Sequence, residues 1–540
     1  METLYEFKNE PHMDWTKEKN RAAMQKALSK VKSEFGKSYP VVIDGNPSLS
    51  QKSFYSFDPA TCNPHDDPNN FDLHRVIVGI AYTADAGDVD RAAQAAEKAF
   101  PEWRKLGVEK RAEYLLRAAE IMRERKFELA AWIIYEVSKS WDEAMGEVEE
   151  AIDFIELYVR ESHFFFGEFP TIRLESEENI FTAVPRGITA AISTWNFPIA
   201  LIVEKIAASL ACGCPVLFKP AEQAPVCGWM AVKCFLDAGI PSGLISYLTG
   251  RDETGKALVA SQGITQIAFT GSVEAGIAIN LSAAQTPGRY GIKGFEPELG
   301  GNNAAIVCPS AVHDAAIRDI LHSKFGFNGQ KCSALQRLIL VGSSLDRTPK
   351  VIREGVIEGA KSLEYGHPEN PAYRYTSLID SDAYKKVYER IEALKCYANP
   401  CYERILKGFD RGYFMGPVIF DKIPSHLGLV QEEIFGPVLM IFYARTLEDA
   451  VLLANSTPQA LTGGIFTELE SEIAYASENL EVGNFYANRP ITGALVGRQP
   501  FGGFKFSGNG AKVGCPERLN FFLNKKTITI NCERYGALLK

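Results

Sequence analysis

No stretch of this 540-residue sequence stays apolar long enough to cross a bilayer. The most apolar uncharged run, 187–203, contains Trp195, Asn196 and Pro198 and is closed by Glu204 and Lys205. It falls short of the ~20 apolar residues of a spanning helix, so no membrane partner is expected. The opening residues, METLYEFKNEP, carry acids where a signal peptide would be apolar, and none is expected. Long Lys/Arg runs are also missing and the formal net charge is −9, which leaves no electrostatic footprint for nucleic acid. The eleven cysteines are scattered and odd in number, which argues against a disulfide framework and for reduced thiols in the cytoplasm. Cys212 and Cys214 stand one residue apart with no His/Cys partner set, so they read as buried thiols and no metal is expected.

What is present is ordinary for a large globular protein: 46% hydrophobic and 23% charged residues. At roughly 100–200 residues per domain, the length suggests about three or four domains, or fewer large ones. Residues 12–36 show helical spacing, and 51–75, rich in Pro, Asn, Asp and Ser, read as loop. From Asp88, a candidate N-cap, the pattern is helical to about Glu161, with breaks at Pro101 and Gly107. Residues 168–184 read as strand–turn–strand. From 185 to 340 short apolar strands (ITAAIS, CPVLFK, LISYLTG, ITQIAFTG) alternate with helical stretches, and a second alternating run extends from Ala304 to about Ile465. Such alternation predicts parallel, doubly wound sheets.

Four places could carry chemistry. In FTGS, 269–272, a glycine ends a strand and opens a helix whose free N–H groups suit a phosphate; equally, it is a plain turn. Cys332, in FGFNGQKCSA, is surrounded by small residues, with Lys331 available to favour thiolate, though it is one cysteine among eleven. Glu298 precedes Gly300 and Gly301 and could swing as a general base, or be a turn residue. Asn196, in STWNFP, could donate to an oxyanion or simply shape the turn before Pro198.

Together they say more. PRGITAAISTWNFP, GCPVLFKPAE, FTGS, ELGGNN, GQKCSA, EEIFGPV and PFGGFKFSG follow in this order, with Glu298 and Cys332 34 positions apart. In order and separation the sequence resembles the aldehyde dehydrogenase superfamily. A closer, nearly end-to-end similarity is to its L-glutamate γ-semialdehyde dehydrogenase branch. It is carried also by NEP…NRAAMQKAL near the start, by EVSKSWDEAMGEVEEAIDFIELYVRE (136–161) and by NRPITGALVGRQPFGG (488–503).

The resemblance implies an α/β, aldehyde dehydrogenase-like fold. A Rossmann-like NAD domain would comprise 1–163 and 183–298, and an α/β catalytic domain 299–518. A β-flap oligomerisation arm would comprise 164–182 and 519–540; its exposed strand edges need a partner, so a homo-oligomer, a dimer or dimer-based assembly, is expected. Cys332 would be the nucleophile that turns an aldehyde into a hemithioacetal able to expel hydride. Asn196 and the Cys332 N–H would hold the oxyanion, and Glu298 would activate the water that hydrolyses the thioester. Lys219 and Glu222 match residues that hold the adenosine ribose, where a carboxylate favours NAD over NADP. Ser193 and Trp195 would line the cofactor cleft, Gly271 and Ser272 face the pyrophosphate, and Glu433 and Phe435 meet the nicotinamide ribose and ring.

For the substrate, Ser333 with the backbone of Gly493 and Ala494 matches the anchor of the amino-acid end, and Phe197 and Phe501 match aromatics that sandwich its chain. The implied activity is NAD-dependent oxidation of L-glutamate γ-semialdehyde to glutamate in proline catabolism. Two alternatives stand beside it: oxidation of another semialdehyde or aliphatic aldehyde, and a non-catalytic protein that keeps the fold. The sequence departs from the branch at Leu299, where E-T-G-G is usual, at Leu335-Gln336, where a cysteine is usual, and at Gly514-Cys515-Pro516-Glu517-Arg518. These bear on the preferred aldehyde and remove no catalytic group.

Overall fold

Segments such as TAAI and VLFK are apolar or small at every position, so the strands they form must be covered on both faces. The computed structural model describes residues 7–48, 50, 52–63, 75–167, 170–172, 177–289 and 291–531. In it Thr189–Ile192 and Val216–Lys219 are buried throughout. Val216–Lys219 and then Ile245–Tyr247 add in parallel on one side of Thr189–Ile192. Gln266–Thr270 and then Gly294–Glu298 add in parallel on the other. A hairpin of Val41–Ile43 and Asn46–Ser48 completes seven strands at the far edge. The chain reverses direction of growth at Thr189–Ile192, and the C-terminal ends beside such a switch form a ligand crevice.

The second sheet also has seven strands, in the order Pro400–Glu403, Val418–Asp421, Val438–Ala444, Leu335–Val341, Asn303–Val307, Thr462–Phe466 and Asn484–Ala487. All pair in parallel except the edge strand Pro400–Glu403. Around the first sheet lie the helices Val108–Val137, Trp141–Phe165 and Ala200–Ala211. Residues 129–137 are buried at every position, which marks a helix enclosed on all sides. Among the described residues no helix is long and apolar enough to cross a membrane. Cys212 and Cys214 are buried, their thiols donating to the carbonyls of Leu519 and Phe522.

Several local expectations need correction. The first helix is shorter than 12–36, covering Glu18–Lys32. Asp88 is not the N-cap of the next: Asp85 accepts the Asp88 N–H, while the Asp88 carboxylate reaches back to the Asp85 N–H. Pro101 does not break that helix, which runs Ala86–Lys105. It sits in the last turns, where few hydrogen bonds are at stake, and buried Trp103 pins them by donating to the Leu210 carbonyl at 3.2 Å. A break the spacing missed falls at Ser138, whose left-handed φ of 61° ends the long helix. Within the expected loop 51–75, Ser53–Phe57 is a strand paired with Ile77–Tyr82, its buried face made of Phe54 and Ser56; residues 64–74 lie outside the described residues.

Of the expected strand–turn–strand at 168–184, the described residues show one strand, Glu177–Pro185, whose antiparallel partner is the distant Leu523–Asn531. It overruns the boundary placed at 182, and helix Trp141–Phe165 overruns that at 163.

Candidate functional site

Parallel strands of the first sheet deliver their C-terminal ends to one edge. Ser193 follows Thr189–Ile192, Lys219 ends its strand with Glu222 in the next turn, Gly271 follows Gln266–Thr270, and Glu298 ends the last. Ser193 is buried with its hydroxyl unpartnered. Burial lowers the proton affinity of the Lys219 amine, against the charge of Glu222, and the amine donates to the Pro220 carbonyl at 3.2 Å. Ser272 caps helix Val273–Gln285, accepting the Ala275 N–H at 3.2 Å, so its hydroxyl is engaged, and the Gly271 N–H donates to the Glu298 carbonyl at 3.1 Å. From the second sheet's side, Phe435 meets Trp195 edge-on, centroids 5.7 Å apart.

Cys332 lies between the turn Gly326–Gly329 and strand Leu335–Val341, and is partly exposed. Asn303 ties this loop down: its amide donates to the carbonyls of Cys332 at 2.7 Å and Ala334 at 2.9 Å. The glycines of ELGGNN make room. A Cβ at Gly301 would stand 2.5 Å from the Cys332 carbonyl, and one at Gly300 would collide with the Glu433 carboxylate. The other Glu433 oxygen accepts the Gly301 N–H at 3.0 Å, and burial pushes the carboxyl up to about 7. Just upstream, Phe327 and Asn328 hold left-handed φ values of 48° and 55°. Strained backbone of this kind persists only where its surroundings impose it. The Asn328 amide supplies part of that, donating to the carbonyls of Thr376 at 3.1 Å and Met415 at 3.2 Å.

Lys331 does not act on the thiol as expected. Its ammonium pairs with Glu143 at 3.0 Å, and the Cys332 thiol is pushed up to about 12 by burial and then by the charges of Glu433 and Glu298. A thiol that binds its proton this tightly gains thiolate steadily as pH rises. Alkylation of Cys332 by iodoacetamide, followed by peptide mass without cofactor, should therefore accelerate about tenfold per unit from about pH 7 to 9. A plateau inside that range would contradict the assignment.

Asn196 is buried, and its amide donates to the Gln330 carbonyl at 3.0 Å, leaving a second N–H for a ligand. Glu147 fixes this segment, accepting the N–H groups of Ile199 at 2.7 Å and Ala200 at 3.2 Å. Its buried partner Lys139 lies 2.7 Å from Glu147 and 3.6 Å from the centroid of the Phe197 ring. Removing one member of such a buried pair costs about 3–5 kcal/mol.

Glu298 accepts the Thr270 hydroxyl at 2.9 Å through one oxygen, while its other oxygen has no hydrogen-bond partner. Behind it the Lys205 ammonium donates to Thr270 at 2.7 Å and stands 3.6 Å from the carboxylate. Arg518 binds Glu204 at 2.6 and 3.1 Å and Glu296 at 2.7 Å, with Glu298 at 3.9 Å. This buried network escaped sequence reading. Its one local signal was the Glu204-Lys205 pair inside an otherwise apolar run.

Over the thiol lies a cavity of about 110 Å³ lined by Glu298, Cys332, Phe197, Ser333, Phe501 and the Gly493-Ala494 backbone. Asn196 is not part of that wall. Gly493 has a left-handed φ of 73°, and neither its N–H nor that of Ala494 takes part in a backbone hydrogen bond. Glu150, which the sequence did not single out, lines the same cavity; burial and the charge of Glu147 raise it to about 8. Through Phe197, Ser333, Gly493 and Ala494 the space adjoins an outer cavity of about 610 Å³.

A thiol and a carboxylate thus line one cavity beside the crevice of a doubly wound sheet, the place where such folds receive a small molecule. The chain belongs to the aldehyde dehydrogenase family, whose pattern matches residues 69–528. It is 37% identical to a 1-pyrroline-5-carboxylate dehydrogenase of Geobacillus kaustophilus over 529 residues, 97% of this chain and 99% of that one. A Bacillus subtilis protein of the same name is 35% identical over 527 residues, 96% of this chain and 98% of that one. The solved 1-pyrroline-5-carboxylate dehydrogenase from Thermus with bound NAD, 37% identical, superposes with a TM-score of 0.92 over 98% of this chain and 100% of that one. The expected aldehyde dehydrogenase-like fold is thereby borne out.

Proposed function

We propose that this chain oxidises L-glutamate γ-semialdehyde, the open form of Δ1-pyrroline-5-carboxylate, to L-glutamate with NAD. The observation that carries this is the cavity itself, which sets Cys332 and Glu298 together with unused backbone donors at Gly493 and Ala494 and the carboxyl of Glu150. Free N–H groups suit an α-carboxylate, and Glu150 suits an α-ammonium, which would draw off its proton. Ser333 completes the anchor, and Phe197 and Phe501 hold the aliphatic chain between.

The Cys332 thiol gives up its proton to water, and the thiolate sulfur attacks the aldehyde carbon. The Cys332 N–H holds the resulting oxyanion, and the second N–H of the Asn196 amide, which stands outside the described cavity wall, joins it once substrate is bound. NAD, when bound, would supply the hydride acceptor, and Cys332 would then carry the carbon as a thioester. Glu298 next removes a proton from the water that hydrolyses it. The cofactor's fit rests on the unpartnered Ser193 hydroxyl, the helix start at Ser272 and the spare oxygen of Glu433. Glu222, with Lys219, favours a ribose hydroxyl over a 2′-phosphate, hence NAD.

Among the described residues the ribbon of Glu177–Pro185 and Leu523–Asn531 has two strands, marginal alone, which supports a homo-oligomer, a dimer or dimer-based assembly. The ten described cysteines form no disulfide with one another, in keeping with a reducing cytoplasm. The test compares kcat/KM for glutamate semialdehyde with that for pentanal, which has the chain but neither charged group. A preference of at least about 10²-fold is expected from the two lost charge contacts; equal turnover of pentanal would overturn the substrate reading.

A further inference from the structure

We propose that residues 7–15 form a specificity element, in which Asn9 is a positioning residue that bolts the loop 493–496 to the helix carrying Glu150. The inference rests on the reading of the site given above. The Asn9 amide donates to Asp153 at 2.8 Å and to the Val496 carbonyl at 2.8 Å, and the Glu10 N–H donates to the second Asp153 oxygen at 2.7 Å. Asp153 lies three residues beyond Glu150 on helix Trp141–Phe165, the spacing that places both on one face. Val496 lies two residues beyond Ala494. One side chain thus links the two elements whose groups would hold opposite charges of one substrate.

The segment is itself secured. Phe7 packs on Gly497, where a Cβ would stand 2.8 Å from its ring. Glu10 accepts from Arg123 at 2.8 Å, His12 lies 3.2 Å from Glu149, and Trp15 meets Trp141 edge-on at 5.1 Å. So held, it forms one wall of the outer cavity, in which Asn9 and Glu10 face the same space as Phe197, Ser333 and Ala494. The loop needs the brace because it belongs to no helix or strand, and a shift of about 1 Å in a positioning group can cost up to ~10²-fold. Cys332 is anchored separately, by Asn303, so loosening the loop should weaken substrate grip and spare the chemistry.

The test measures kcat and KM for glutamate semialdehyde and for pentanal in the full chain and its variants. Asn9→Ala is expected to raise KM for glutamate semialdehyde about tenfold, leaving kcat and both pentanal constants within about twofold. Asn9→Asp, which has the same shape but no donor, should do the same. Adding Asp153→Asn to Asn9→Asp restores a bond to the helix with donor and acceptor exchanged, yet leaves Val496 without its donor, so KM should stay raised. An unchanged KM in both single variants, equal losses for both aldehydes, or full rescue in the double variant would each overturn the inference. If the unmodified chain shows no preference for glutamate semialdehyde, the reading of the site falls and this inference with it; if it prefers that aldehyde and Asn9→Ala keeps the preference, the inference alone falls.

Discussion

Cys332→Ala is expected to abolish dehydrogenase turnover, by roughly 10⁴-fold or more, with NAD affinity unchanged within about twofold. An aldehyde carbon cannot release hydride until a nucleophile has made it tetrahedral, and the described walls of the cavity offer no substitute thiol. Ser333 is adjacent, but an alcohol is a far weaker nucleophile than a thiolate at neutral pH. The loop should survive the change, since Asn303 grips the Cys332 carbonyl rather than its side chain. Steady-state NADH formation and NAD titration check the two halves separately. Persisting turnover would remove Cys332 from the reaction, and a large loss of NAD binding would make its role structural.

Glu298→Gln should slow turnover by roughly 10²–10³-fold, the scale of a lost general base, without blocking the first hydride transfer in proportion. The amide keeps the shape and can still accept the Thr270 hydroxyl, but it cannot take a proton from water. A burst of NADH, followed by an acyl adduct on Cys332 visible in the intact mass, is the expected signature. The charge lost has a second consequence. Because Glu298 is one of the groups raising the Cys332 thiol, its removal favours thiolate, and alkylation at a given pH should quicken. Slow turnover with neither burst nor adduct would place Glu298 outside deacylation.

Much of the site was legible because its residues sit in motifs whose backbone chemistry is local. ELGGNN needs two glycines where Glu433 and the Cys332 carbonyl approach, and Asn303 where two carbonyls must be held. Apolar strands announced both sheets. What stayed hidden depends on partners remote in sequence: Arg518 with Glu204 and Glu296, Glu147 with the start of helix Ala200–Ala211, and Asn9 with Val496. Ser53–Phe57 was hidden for another reason, since a strand whose buried face includes a serine shows little alternation of polarity. Lys331 misled because sequence adjacency to Cys332 says nothing of where its ammonium points, and it points to Glu143.

The central claim, that this cavity converts glutamate semialdehyde to glutamate at the expense of NAD, is tested most directly by product analysis of the unmodified chain. Incubated with NAD and Δ1-pyrroline-5-carboxylate, it should form NADH and L-glutamate in equal amounts, with neither formed by Cys332→Ala. NADH without glutamate, or no turnover by the unmodified chain, would contradict the account.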